Sequence, residues 1–185
     1  MANHVYQYIE VQGSDVVQEE WANIIAKVEK EHKDPERYTE YYPEYFVEHL
    51  GMPEYDESDS YAYYCDNVGA KWATIEEMNE DTMYIVSAWR PCIEFCDHIA
   101  RHLSHIDPEV KVINRYEDEF YNFVGASIHE KDDYDYYEKD WDTIKEERCK
   151  DLDMTLEEYE HEDFEDEDLY EFIEEFKYTA YKELL

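Results

Sequence analysis

Apolar positions along this chain switch between two periods, and the switch is clearest from Met83 to Ile128. Met83, Ile85, Val86, Ala88 and Trp89 trace a strand. After Pro91, residues Cys92, Cys96, Ile99, Leu103 and Ile106 recur at intervals of three and four, which is one apolar stripe of a helix. Pro91 suits its first turn, and Asp107 with Pro108 ends it. Val110 to Tyr116 and Phe120 to Ile128 then read as two strands, joined by a hairpin through Glu117, Asp118 and Glu119.

The N-terminal stretch follows the same logic. Val5, Tyr6, Tyr8, Ile9 and Val11 predict a strand ending at Gly13. Asp15 followed by Gln18 is a helix-start signature, and Val17, Trp21, Ile24, Ile25 and Val28 carry an apolar face toward Glu31. From His32 to Ser60 the pattern weakens among Pro35, Pro43 and Pro53, so this is read as an insertion and contact loop, with one short helix near Tyr45 to Leu50. Tyr61 to Glu77 looks strand-like, with Gly69 as a turn or bulge and Trp72 and Ile75 as core residues; Asn79 to Thr82 turns the chain back. Together these elements predict an α+β fold. Residues 1–128 form a ferredoxin-like (split β-α-β) antiparallel sheet with helices on one face, one added strand and an insertion at 32–60.

Beyond His129 the character changes. Residues 129–185 hold 7 Lys and Arg against 24 Asp and Glu, a net −17, whereas residues 61–128 carry only −7. Asp132 to Trp141 is a Tyr and Asp cluster. Trp141, Ile144, Arg148 and Leu152 suggest a short helix, and Thr155 with Glu158 fits a capping box. Leu169, Phe172, Ile173, Phe176, Ala180 and Leu184 trace an amphipathic stripe. This part is expected to be an acidic, Tyr-rich helical extension packed on or beside the first domain.

The whole chain carries −35. That exceeds what solubility requires, and the self-repulsion weakens the compact state. Twenty Tyr and 17% aromatics argue against acidic disorder, since disordered acidic chains are poor in rings. No signal-like segment and no run approaching the roughly 20 apolar residues of a membrane span is found, so a cytoplasmic protein with no membrane partner is expected. Four dispersed Cys fit a reducing compartment.

Three motifs carry a family resemblance: Tyr64 to Trp72 (YCDNVGAKW), Ser87 to Pro91 (SAWRP) and Tyr116 to Gly125 (YEDEFYNFVG). Together with the opening strand they resemble the YubB-type ferredoxin-like proteins of phages and plasmids, over about two thirds of the chain. The resemblance implies a phage or mobile-element origin and supports the ferredoxin-like expectation. It brings no catalytic residues. The insertion and the acidic tail depart from the usual pattern.

Candidate chemistry centres on the tail. Twelve carboxylates and no Lys or Arg lie from Glu157 to Glu175: Glu157, Glu158, Glu160, Glu162, Asp163, Glu165, Asp166, Glu167, Asp168, Glu171, Glu174 and Glu175. As a helix these nineteen residues span about 28 Å, roughly one charge per 2.4 Å. Duplex DNA carries one per roughly 1.7 Å, so a groove built for phosphates meets a comparable density. With Asp132, Asp133, Tyr134, Asp135, Tyr136 and Tyr137, the first ten of these acids form the expected partner-binding surface, Tyr supplying contact area at low entropy cost. Tyr38, Tyr41, Tyr42 and Tyr45 among Glu36, Glu40 and Glu44 make a second such cluster. The plain alternative is a solvated acidic face with ordinarily packed tyrosines.

His98, His102 and His105 share one helical face at metal-compatible spacing, but a solvent-exposed His face is the better reading of them; Cys92 and Cys96 lie in the apolar stripe as small core residues. No EF-hand, phosphate-binding loop, nucleophile elbow, zinc-protease or dinucleotide motif is present, so no cofactor, no metal and no enzyme activity are expected. The expected partner is a basic nucleic-acid-binding host protein (nuclease, defence complex, nucleoid protein or polymerase), engaged without direct nucleic-acid binding by a monomer or homodimer. The competing functions are an assembly module docking through its C-terminal amphipathic helix, and an enzyme using acids and a divalent ion.

Overall fold

The computed structural model describes residues 3–33, 40–120, 122–161 and 166–184, with backbone alone at 160, 161 and 166–170. Six strands form one antiparallel sheet: β1 (His4–Gln12), β2 (Ala73–Met78), β3 (Thr82–Ala88), β4 (Lys111–Asp118), β5 (Val124–His129) and β6 (Tyr134–Lys139). Their order is β2-β3-β1-β4-β5-β6. Helices α1 (Asp15–His32) and α4 (Ile93–Leu103) lie on the face to which Ile9, Val11, Met83, Ile85 and Val112 point, and all join one core with Trp21, Phe46, Phe95 and Leu103. Strand alternation dictates this, because every second residue faces the same side.

Between α1 and β2 the chain is mostly helical. A 3₁₀ turn at Pro43–Phe46 runs into α2 (Val47–Leu50), where the short helix is expected, and Gly51 ends it at φ 67°. Ser60–Asn67, expected as strand, is instead α3. It holds no β-branched residue, and the adjacent Tyr63 and Tyr64 are both buried, which a half-covered strand does not allow. Gly69 sits at φ 99° in the turn after α3, where a Cβ would lie 3.0 Å from the backbone nitrogen of Ile93.

Three further expectations shift. Helix α4 stops at Leu103, so Ile106 leaves the stripe and is exposed. Phe120 is also exposed, because buried Asp118 accepts from the backbone N–H of Phe120 and of Asn122 and holds a loop until β5 starts at Val124. Trp72 lies just before β2 with its ring edge against His4, partly exposed rather than in the core.

The helices do not all lie on one face. β6 is the sixth strand of the same sheet, followed by α5 (Trp141–Asp151), α6 (Leu156–His161) and α7 (Asp166–Glu183). The α7 stripe of Ile173, Phe176 and Ala180 closes a second core with Val124, Ala126 and Ile144, flanked by Phe172 and Leu184. Val124 and Ala126 alternate with Gly125 and Ser127, so this core is on the face opposite α1 and α4. The expected capping box stands: Thr155 N–H donates to Glu158, and Glu158 N–H to Thr155 Oγ1. Among the described residues no helix is long and apolar enough to cross a membrane.

One ion pair ties α7 to the sheet. Lys177 is 4% exposed, its Nζ 2.8 Å from Glu117 of β4 and 2.5 Å from Glu174. Burial alone favours the neutral amine, but Glu117 and then Glu174 outweigh it and raise the lysine pKa. A raised folded pKa means the contribution is full below the unfolded value of about 10.4 and is lost as pH climbs through the folded one. We expect Lys177→Met to lower the urea-unfolding free energy by roughly 3 kcal/mol, because Glu117 is left buried and uncompensated, and a Lys177→Met, Glu117→Gln double variant to recover most of it.

Candidate functional site

Three rows of residues cross β4, β5 and β6 on the α4 side of the sheet. The register aligns Tyr116, Gly125 and Glu138; Asn114, Ser127 and Tyr136; and Val112, His129 and Tyr134. In the first row the central residue has no side chain. A Cβ on Gly125 would meet the Tyr137 carbonyl at 2.5 Å, so β6 approaches β5 closely here, and Tyr116 of β4 interacts with Glu138 of β6 across the glycine. Burial, then Glu138, raises the Tyr116 pKa; desolvation raises that of Glu138 against the opposing Tyr116 hydrogen bond.

Beyond the N-terminus of α4 this surface opens into a cleft of about 300 Å³ lined by Trp89, Arg90, Pro91, Ile93, Tyr116, Phe123, Tyr134, Tyr136 and Glu138. Trp89 reaches its rim from an unusual backbone, φ 73°, at a cost of about 1–3 kcal/mol. That backbone is held by Trp89 N–H to the Asn3 carbonyl at 2.9 Å and by Ser87 Oγ donating to the Arg90 carbonyl at 2.7 Å. Tyr134 and Tyr136 stack side by side, centroids 6.4 Å apart, as the opposite wall.

Beneath that wall runs a buried polar relay. His129 Nδ1 is 2.6 Å from Asp97 of α4, and His129 Nε2 is 2.8 Å from Ser127 Oγ. The residue types are those of a nucleophilic triad, but Ser127 and His129 have no exposed surface and Tyr134 stacks on the imidazole at 5.3 Å. A nucleophile must reach a substrate carbonyl, and this hydroxyl is sealed. A second buried set lies alongside: Gln7 donates to Ser87 and accepts from the Cys92 N–H and Asn114. Neither set is visible in the sequence, where the only signal is polar residues at alternate positions of apolar strands.

The expected partner-binding residues divide. Asp132 and Asp133 occupy the exposed β5–β6 turn. Tyr134 and Tyr136 face the cleft, but Asp135 and Tyr137 point to the other side, Tyr137 packing on Phe176 at 6.2 Å. Glu157 and Glu158 are exposed on α6, and Glu171 and Glu175 on α7. For Glu160, Asp166, Glu167 and Asp168 only helical backbone is described, and Glu162, Asp163 and Glu165 lie outside the described residues, as does Tyr38. Glu174 is engaged by Lys177.

Of the histidines, His98 and His102 are half-buried rather than an exposed face. Burial lowers both pKa values, with Arg101 adding to the effect on His98. Among the described residues no group of three or more His, Cys, Asp or Glu is placed to hold a metal ion. Compared with protein-family models, curated proteins and solved structures, the chain matches none.

Ser127→Ala leaves the buried Nε2 of His129 without its partner. We expect a loss of roughly 1–3 kcal/mol in urea unfolding. Asp97→Asn, at a more solvated position, should cost less in the same measurement.

Proposed function

We propose that this protein is a non-enzymatic, phage-encoded inhibitor whose acidic, Tyr-bearing surface imitates nucleic acid and occupies the DNA- or RNA-binding channel of a host protein. The target is a cytoplasmic defence or DNA-processing protein. The observation that carries this is charge: −35 in 185 residues, with −17 beyond residue 128. Asp132, Asp133, Glu157, Glu158, Glu171 and Glu175 are exposed in that region. Seven of the chain's 16 Lys and Arg, by contrast, are engaged internally. Lys71, Arg115, Lys139, Lys145, Arg148 and Lys182 lie over its own rings, and Lys177 is buried in its ion pair. The outward field is therefore anionic, and it steers a basic groove.

The scaffold belongs to the same proposal. The order β2-β3-β1-β4, antiparallel throughout, with α1 and α4 on one face, supports a ferredoxin-like split β-α-β unit at residues 4–118. β5, β6 and α7 extend it. An assembly module working through the C-terminal amphipathic helix is the less favoured reading, because Ile173, Phe176 and Ala180 are already covered by the sheet.

The test is capture from nuclease-treated bacterial lysate with tagged protein. A basic nucleic-acid-binding protein held at low salt, released at high salt and displaced by duplex DNA is the expected result. Against that partner, replacing Glu165, Asp166, Glu167 and Asp168 by Lys should weaken binding at least about tenfold with the circular dichroism unchanged. Undiminished binding would refute mimicry, and a partner retained at high salt would shift the assignment to assembly.

A further inference from the structure

We propose that the cleft between Trp89 and β6 is a receptor for one arginine side chain of the partner, an inference that rests on the basic partner of the proposed function. Five rings line it, those of Trp89, Tyr116, Phe123, Tyr134 and Tyr136, together with the Glu138 carboxylate. Ring faces carry negative potential, and a planar guanidinium both stacks on them and forks onto a carboxylate. An ammonium does only part of this, and it is more strongly hydrated. About 300 Å³ accommodates an arginine side chain with its aliphatic stem.

The outer wall of the cleft is exposed rather than packed into a core. Lys71 already lies over one of these rings, that of Trp89, at 5.3 Å. Among the described residues no Lys or Arg lies over the rings of Tyr116, Phe123, Tyr134 or Tyr136. Tyr134 and Tyr136 are 44% and 60% exposed, at positions where a folding core gains little from them. The left-handed Trp89 holds the far wall. That backbone carries strain at the rim of the cleft.

Arg90 also lines the cleft, so a nucleotide with its base among the rings and its phosphate on Arg90 is the competing occupant. A net charge of −35 opposes that anion and attracts the guanidinium.

The experiment uses the full chain and ¹H–¹⁵N spectra, with the Trp89 indole assigned from Trp89→Phe. The probes are the peptide Gly-Gly-Arg-Gly-Gly, its citrulline and lysine counterparts, and guanosine monophosphate, each titrated to about 10 mM, the range of single-side-chain affinities. The arginine peptide should shift the Trp89 indole saturably and bind about tenfold more tightly than the citrulline peptide, which has the same shape without charge. Lysine should fall between them. Glu138→Gln and, separately, Tyr136→Ala should each weaken arginine binding about fivefold or more while the remaining spectrum is preserved. Equal binding of citrulline, no saturable shift with arginine, or preference for the nucleotide would overturn the assignment. If Glu138→Gln leaves DNA-displaceable capture of the basic partner intact, the cleft is excluded while mimicry stands.

Discussion

The antiparallel pairing of β5 with β4 and β6 is the constraint on which the rest of this molecule depends. It places a small residue, Gly125, between two larger ones, Tyr116 and Glu138, and it points Val124 and Ala126 to the opposite side. A slip of one residue would exchange those faces. The aromatic cleft would then hold alanine and valine, and α7 would be asked to bury serine and histidine. Cleft and second core are two consequences of one register.

Buried polar groups reinforce that register from the α4 side. Gln7 links β1, β3, β4 and the start of α4 through Ser87, Asn114 and Cys92, while Asp97 reaches from α4 to His129. An apolar core tolerates sliding and repacking, but a buried amide or imidazole must find its partner or lose its solvation for nothing. These contacts choose among packings of similar hydrophobic yield. The His129 relay also braces Tyr134, whose ring stacks on the imidazole, so the wall of the cleft rests on a fixed base rather than on a mobile loop.

The acidic charge has a structural cost that the fold meets locally. Lys177 neutralises Glu117 and Glu174 where α7 meets the sheet, and Lys139 pairs with Glu147 at 2.6 Å while its ammonium lies over Phe176. Scarce cations are placed where they serve the second core. Acids outnumber bases in the chain as a whole, 51 to 16, so the net field outward is anionic.

Much of the scaffold was legible in the chain. The β1–α1 pattern, the α4 stripe from Cys92 to Leu103 and the α7 stripe follow from period alone, because each is long enough for apolar spacing to fix the element and its buried face. Short segments rich in tyrosine were not: Ser60–Asn67 alternates like a strand and folds as a helix, since Tyr packs either way and only contact with the Phe46 and Phe95 core decides. The tyrosine and aspartate run at 132–137 was recognisable as unusual, but its division into a cleft wall, Tyr134 and Tyr136, and a core residue, Tyr137, depends on pairing with β5. Trp89, Gly125 and Glu138 lie far apart in sequence and share no motif. Sequence determined the charge and the principal helices through composition and periodicity, which are local properties; the tertiary structure alone decided the site, because strand register is a relation between distant segments.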